Sequence, residues 1–246
     1  VFQSLVIQLS EDAINGEGKQ VEFEHYTQAP IDTLTREQVV ALLVESGLWT
    51  AIRMRPYSRV PGIDETCDSL FITATNSRPL AGSVALRMGD AKGLEAGLKV
   101  VRKLTEGSVW LCHAPGTAVP SVEGVQTAQF SGKHPAGLVG THIHMLAPVG
   151  RKRTAWHLDV QDVMAIGELF ESGYLNPFRT IALGGPAAKT PRHLRVRLGA
   201  DISELVEGEL AVDKEVRVIS GSVLGGRSIT SAGGPYLGRY HGQITC

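Results

Sequence analysis

The chain is poor in cysteine, balanced in charge and without a long apolar run, and each shortage closes off a class of protein. Its three cysteines, Cys67, Cys112 and Cys246, show neither C-x-x-C spacing nor an even count. That excludes a disulfide framework and a zinc knuckle, and fits a reducing compartment. Lys and Arg number 24 against 25 Asp and Glu, so no net field draws nucleic acid or an anionic membrane over distance, and no nucleic-acid partner is expected. The most apolar stretch, "VVALLVESGLW", is broken by Glu45, Ser46 and Gly47, well short of the ~20 residues a membrane-crossing helix needs. No direct transmembrane segment is expected. The chain starts at "VFQSLVIQL", without an initiator Met or a signal-peptide pattern, and stops at "HGQITC" in what reads as mid-strand. It reads as a fragment of something longer. A final strand cut short there would leave an unpaired edge that invites self-association.

Glycine motifs for phosphate binding are also missing. "LGGPAAKT" has Ala188 where a phosphate loop needs glycine, and a strand follows it instead of a helix. "SGSVLGG" lacks the spacing of a nucleophile elbow, and "GIDETCD" lacks the alternating oxygen ligands of a calcium loop. There is no dinucleotide G-x-G-x-x-G and no cysteine cluster for iron–sulfur chemistry.

What is present is a pattern of strands and capped helices. Residues 1–30 alternate apolar positions at Phe2, Leu5, Ile7 and Leu9, turn at "NGEG" and resume at "QVEFEHY", which predicts a strand pair at the end of a preceding module. "TREQVVALLVESG" predicts a helix capped by Thr35 with Gln38 three residues on, stopping at Gly47. "SLFITAT", a helix with Leu94, Leu98 and Val101 on one face, and "SVWLCHA" then predict a parallel crossover. "DVQDVMAIGELFESG" predicts a helix from an Asp159 cap to Gly173. After Asn176-Pro177 the pattern changes to "FRTIALGG", "RHLRVRLG", a short helix at "DISELVEG" with Asp201 and Glu204 as a capping box, "EVRVISGSV" and "RYHGQIT". In "RHLRVRLG", Leu194, Val196 and Leu198 are expected inward, Arg195 and Arg197 outward. Two strands, a short helix and two strands suggest a small β-grasp-like module.

Two local features carry chemistry. The basic clusters "RMRPYSR" (Arg53, Arg55, Arg59) and "RKR" (Arg151 to Arg153) are most simply a solvated loop or a docking patch. "KHPAGLVGTHIHML" places His134, His142 and His144 within eleven residues. In a strand, His142 and His144 would share a face and could share a zinc, with His157 and Asp159 as the nearest further ligands. That defines one alternative, a stand-alone metal-dependent hydrolase. Asp159 is better used as a helix cap, so hydrogen-bonded histidines at a packed or docking surface are the preferred reading, with no metal. Gly137 and Gly140 would allow close backbone approach, and His134, His142 and His144 could donate to a carbonyl oxygen of a quinone or of a partner's main chain.

Taken in order and spacing, "VESGLWTAIRMRPYSRVP", "HPAGLVGTHIHMLAPV", "VISGSVLGG" and "YLGRYH" resemble the A-subunit family of the sodium-translocating NADH:quinone oxidoreductases. The resemblance implies an α/β fold: the end of an N-terminal barrel-sandwich module at 1–30, a Rossmann-like parallel-sheet domain at 31–178 similar to the flavin-binding component of respiratory complex I, and a truncated β-grasp (SLBB-like) module at 179–246. In that flavin-binding component a helix ending in glycine runs into a loop of the type GRGGAGFP. Here Trp49, Ile52, Arg53 and Met54 stand where those glycines would be, so the resemblance implies that this part holds no flavin or other cofactor. NADH, flavins, iron–sulfur centres and ubiquinone would be handled by other subunits. It further implies a peripheral subunit on the cytoplasmic face of the bacterial inner membrane, one that assembles with the other subunits of a membrane complex and has no redox centre of its own. Quinone contact and pure scaffolding both stay open.

Overall fold

The computed structural model describes residues 5–15, 18–26, 30–211 and 215–246. Its helices are α1 (Glu11–Asn15), α2 (Arg36–Glu45), α3 (Val84–Met88), α4 (Leu94–Arg102), α5 (Val139–Leu146), α6 (Val160–Ser172) and α7 (Ile202–Val206). Its strands are β1 (Arg53–Arg55), β2 (Ser69–Ala74), β3 (Ser108–His113), β4 (Val125–Gln129), β5 (Ala155–Asp159), β6 (Phe178–Gly184), β7 (Arg192–Arg197), β8 (Ile219–Ser220), β9 (Arg227–Ser228) and β10 (Gln243–Thr245).

The helix boundaries follow from their caps. The Thr35 hydroxyl accepts from the Gln38 amide, and the Gln38 side chain accepts from the Thr35 amide, which satisfies two otherwise orphaned donors at the start of α2. Gly47, at φ 77°, ends that helix in the left-handed region. The Asp159 carboxylate caps α6, and Gly173 ends it at φ 76°.

Two five-stranded sheets result. The first runs β1-β5-β2-β3-β4, with β5, β2, β3 and β4 parallel and β1 antiparallel at the edge. One face, carrying Leu70, Ile72, Val109, Leu111, Trp156 and Leu158, is buried with residues of α2, α4 and α6 in the main core. The other face, with Phe71, Cys112 and Ala155, clusters with Ile143 of α5. Helices α4 and α6 approach so closely that a Cβ on Gly97 would lie 2.0 Å from the Val163 carbonyl oxygen, and one on Gly167 1.8 Å from that of Gly93. The second sheet runs β7-β6-β10-β8-β9, with β6 and β10 parallel and the other pairs antiparallel. Its core gathers Ile181, Leu183, Val196, Ile202, Val206 and Ile244.

Four expectations need correction. Among the described residues, 5–10 and 18–26 form no strand pair, and Phe2 and much of the "NGEG" turn lie outside them. Leu5, Ile7 and Leu9 are exposed, while the second run follows the end of α6, where the amides of Phe23 and Tyr26 donate to the carbonyls of Gly173 and Phe170. An amphipathic strand with no neighbour has nothing to pair with. The final strand, β10, is not an open edge: it lies inside its sheet between β6 and β8, and the Cys246 amide donates to the Gly184 carbonyl. The α7 cap is Asp201 accepting from the Ser203 amide, a single bond and not a reciprocal box. Arg197 is half-buried, donating to the Ala13 carbonyl and lying over the Phe178 ring, whereas Arg195 is exposed as expected.

Candidate functional site

In an open parallel sheet, ligands bind beyond the carboxyl ends of the strands where the strand order reverses. Here the chain proceeds β2, β3, β4 in one direction and then returns to place β5 on the other side of β2, so the reversal lies between β2 and β5. The residues arriving there are Asp159, Gln161 and Asp162 at the junction of β5 with α6, and the loop 75–83 leaving β2.

That crevice is occupied by the chain itself. Gln161 exchanges two hydrogen bonds with the backbone of Thr180 in β6, accepting at 2.8 Å and donating at 3.1 Å. Asp162, only 4% exposed, receives Arg179 of β6 and Arg239 at 2.7 Å each. Arg87 of α3 donates to both oxygens of Asp159 at 2.8 Å. Burial alone would raise the Asp159 carboxyl, but the Arg87 and Arg179 guanidiniums outweigh it and hold it below the usual carboxylate range. From the loop after β2, the Ser83 amide donates to His193 Nε2, and the Pro79 carbonyl accepts from Gln243. A third seam joins Tyr240, whose hydroxyl donates to the Thr50 carbonyl, to Arg53, whose guanidinium lies 4.3 Å from the Tyr240 ring centre. At the α6 N-terminus the carboxylates of Asp159 and Asp162 already pair with Arg87, Arg179 and Arg239 and take the place that a phosphate would hold. Electrostatically, this edge is a joint between two sheets.

Gln161, Asp162, Arg179, Arg239, His193 and Tyr240 were not singled out by the sequence reasoning. One signal was available for Arg179: it is in phase with buried Ile181 and Leu183, so strand alternation already places its charge inward. Nothing local identifies its partner.

The histidine stretch is not a strand. It forms α5, where positions two apart diverge by about 200°. His142 is fully buried, with Nε2 3.0 Å from the Ala136 carbonyl oxygen and its ring 4.2 Å from that of Phe130. Burial lowers its pKa against the opposing pull of the Ala136 bond. His144 is exposed on the other side. His134 is also exposed, and its Nδ1 lies 3.1 Å from the Ser77 carbonyl oxygen and 3.2 Å from the Ser77 hydroxyl. Gly137 is needed internally: a Cβ there would sit 2.4 Å from the Ser77 amide nitrogen. Gly140 faces open space. The shared zinc face imagined for His142 and His144 therefore does not exist, and among the described residues no group of three His, Cys, Asp or Glu side chains gathers as a metal site. Trp49, Ile52 and Met54 are core residues: Trp49 meets Trp156 edge-on at 5.6 Å and donates to the Pro61 carbonyl.

A family model described as the NqrA second alpha/beta domain matches residues 34–175, and one described as the NQRA C-terminal domain matches residues 180–231. The A subunit of the Na(+)-translocating NADH-quinone reductase of Shewanella denitrificans is 49% identical over 247 residues, and that of Neisseria meningitidis serogroup A is 45% identical over 248. Each alignment covers 100% of this chain and 53% or 54% of the relative, so the chain spans about half the length of the curated relatives it matches. Among solved structures, a chain of an NAD+-reducing NiFe-hydrogenase in the air-oxidized state superposes with a TM-score of 0.56 at 12% identity, covering 91% of this chain and 50% of that one, a likeness of fold alone. The chain belongs to the A-subunit (NqrA) family of the Na(+)-translocating NADH-quinone reductases.

Proposed function

We propose that this chain is part of a peripheral subunit of a sodium-exporting enzyme that passes electrons from NADH to ubiquinone, and that its own task is assembly rather than redox chemistry. The supporting observation is the joint. At the carboxyl edge, where an α/β sheet ordinarily takes a nucleotide cofactor, Asp162, Arg179, Arg239, Gln161 and Thr180 bond one another. A rigid pair of sheets suits a part that holds partners at fixed spacing, on the cytoplasmic face of the membrane, while other subunits carry the flavins and iron–sulfur centres. Among the described residues no helix is long and apolar enough to cross a bilayer.

The test is Asp162→Ala in the complete complex, scored for subunit occupancy and for quinone-reductase activity per assembled complex. Activity should fall only as occupancy falls. Lost activity at full occupancy would mean that turnover runs through this joint, and the assembly reading would be wrong.

Quinone contact is a second reading, favoured by the outer side of α5, where Gly140 faces open space and His144 and Met145 are exposed, with His134 exposed nearby in sequence. His142 and Gly137 would then support that surface from behind.

A further inference from the structure

Pairing of β1 with β5 brings together the two basic runs that the sequence separates by about a hundred residues. Arg53 is in register with His157 and Arg55 with Ala155, two residues after Arg153. Because Met54, Trp156 and Leu158 point into the main core, Arg53, Arg55 and His157 project from the opposite face of the sheet.

The cations there are unbalanced. Among the described residues, Arg53, Arg55, Arg151, Lys152 and Arg153 form no ion pair with a carboxylate, whereas nearby Arg59 pairs with Glu65 at 2.5 Å. Arg53 is held in place by the Ser58 carbonyl and hydroxyl and by the Tyr240 ring. Arg55 is half-buried, and its Nε is buried without a hydrogen-bond partner. His157 Nε2 is likewise buried and unpartnered. A half-buried guanidinium without a counter-charge, next to an unpaired imidazole nitrogen, is costly unless an anion completes it.

We propose that Arg55, Arg53 and His157 form a binding site for a phosphate group, borne by a soluble phosphorylated molecule or by an anionic phospholipid. Two guanidiniums and an imidazole lie side by side on one face of the paired strands, a donor set suited to an oxyanion, and the exposed cations at 151–153 extend the attraction outward. The site touches the joint only at Arg53, which also meets the Tyr240 ring, and it does not rest on the assembly reading. Burial, then Arg55 and Arg53, push the His157 imidazole down to about 3, so it meets the anion as a neutral donor. A bound dianion opposes both arginines and raises that value.

The test titrates inorganic phosphate, and separately vesicles of phosphatidylglycerol in phosphatidylcholine, against the chain at moderate ionic strength, with the His157 ring resonances as a local reporter. The expected result is saturable binding of at least one probe that shifts the His157 signals, weakened roughly tenfold or more by Arg55→Gln and unchanged by Arg59→Gln. Phosphate binding identifies a soluble ligand, and vesicle binding alone identifies a lipid headgroup. Binding by neither probe overturns the site. So does binding that Arg55→Gln leaves intact or Arg59→Gln weakens equally, which would be general cationic attraction. The His157 reporter in the unmodified chain keeps the test decisive even if Arg55→Gln fails to fold.

Discussion

Gln161 and Thr180 bond to each other as paired strands do, although Gln161 belongs to a helix: its side-chain oxygen accepts from the Thr180 amide and its side-chain nitrogen donates to the Thr180 carbonyl. Strand β10 pairs with β6 only from Ala182 onward. The glutamine thus completes the edge of the second sheet from the first domain. Gln161→Ala should cost about 1–3 kcal/mol, because it strands two backbone groups in a largely buried seam. Denaturant unfolding of the chain would reveal this, and a change below ~0.5 kcal/mol would show that water replaces the side chain without penalty.

Asp162 should matter more. Removing it leaves Arg179, 5% exposed, without its carboxylate, for which a loss of about 3–5 kcal/mol is expected. Asp162→Ala combined with Arg179→Leu should recover part of that loss, since the orphaned charge disappears with its partner. A double variant as unstable as the sum of the two single ones would show that the residues do not interact.

Packing between α4 and α6 depends on bare glycine. Gly167→Ala improves helix propensity by about 1 kcal/mol but forces a methyl against the Gly93 carbonyl, so the net effect should be destabilising by about 1–3 kcal/mol or more. Thermal melting decides between the two effects, and a raised melting temperature would mean the helices separate freely.

Acid sensitivity should begin with histidine. The His157 imidazole is held at about 3 by burial and then by Arg55 and Arg53, against an ordinary value of 6.5. The unfolded chain therefore binds a proton that the folded chain refuses. Stability from this group is complete above about pH 6.5 and declines as pH falls toward 3, at a limiting slope of about 1.4 kcal/mol per unit. His142 and His241 are shifted in the same direction by burial. Asp159, with its lowered pKa, contributes stability that is complete above the ordinary carboxylate range and is lost as pH falls through that range toward its own lower value. His157→Gln should accordingly flatten, without abolishing, the decline between about pH 6.5 and 4.5 in unfolding midpoints; an unaltered slope would place the acid response elsewhere.

The histidines of α5 separate stability from recognition. His142→Ala should lower the melting temperature of the chain by removing a buried ring and its bond to Ala136, a cost of about 1–3 kcal/mol. His144→Ala should leave that temperature nearly unchanged, and if α5 contacts quinone or a partner it should reduce quinone-reductase activity or subunit retention in the whole complex. Full activity and retention in the complex would remove His144 from any contact.

Local chemistry was legible where a residue's partner lies within one turn of it. Thr35 with Gln38, Asp159 at the start of α6, and Gly47 and Gly173 at helix ends could be assigned from the sequence because capping bonds span only two or three residues. The crossover from β2 through α4 to β3 was legible for a similar reason, since an apolar stripe at helical spacing between two β-branched runs admits few packings. The run around His142 and His144 was not, because so short an apolar segment fits a strand or a helix equally well, and its packing on Phe71, Cys112 and Ala155 settles the matter.

Taken alone, the sequence determined the family, the crossover from β2 through α4 to β3, the caps of α2 and α6 and the strands β6 and β7, all of which rest on local patterns and matched motifs, whereas β1, β4 and β5 were not legible in it. Tertiary structure decided which charges meet: Arg179 finds Asp162 across seventeen positions, Arg87 finds Asp159 across seventy-two, and Arg53 comes to lie beside His157. Those encounters are set by strand order and helix packing, and no periodicity within a single segment encodes them.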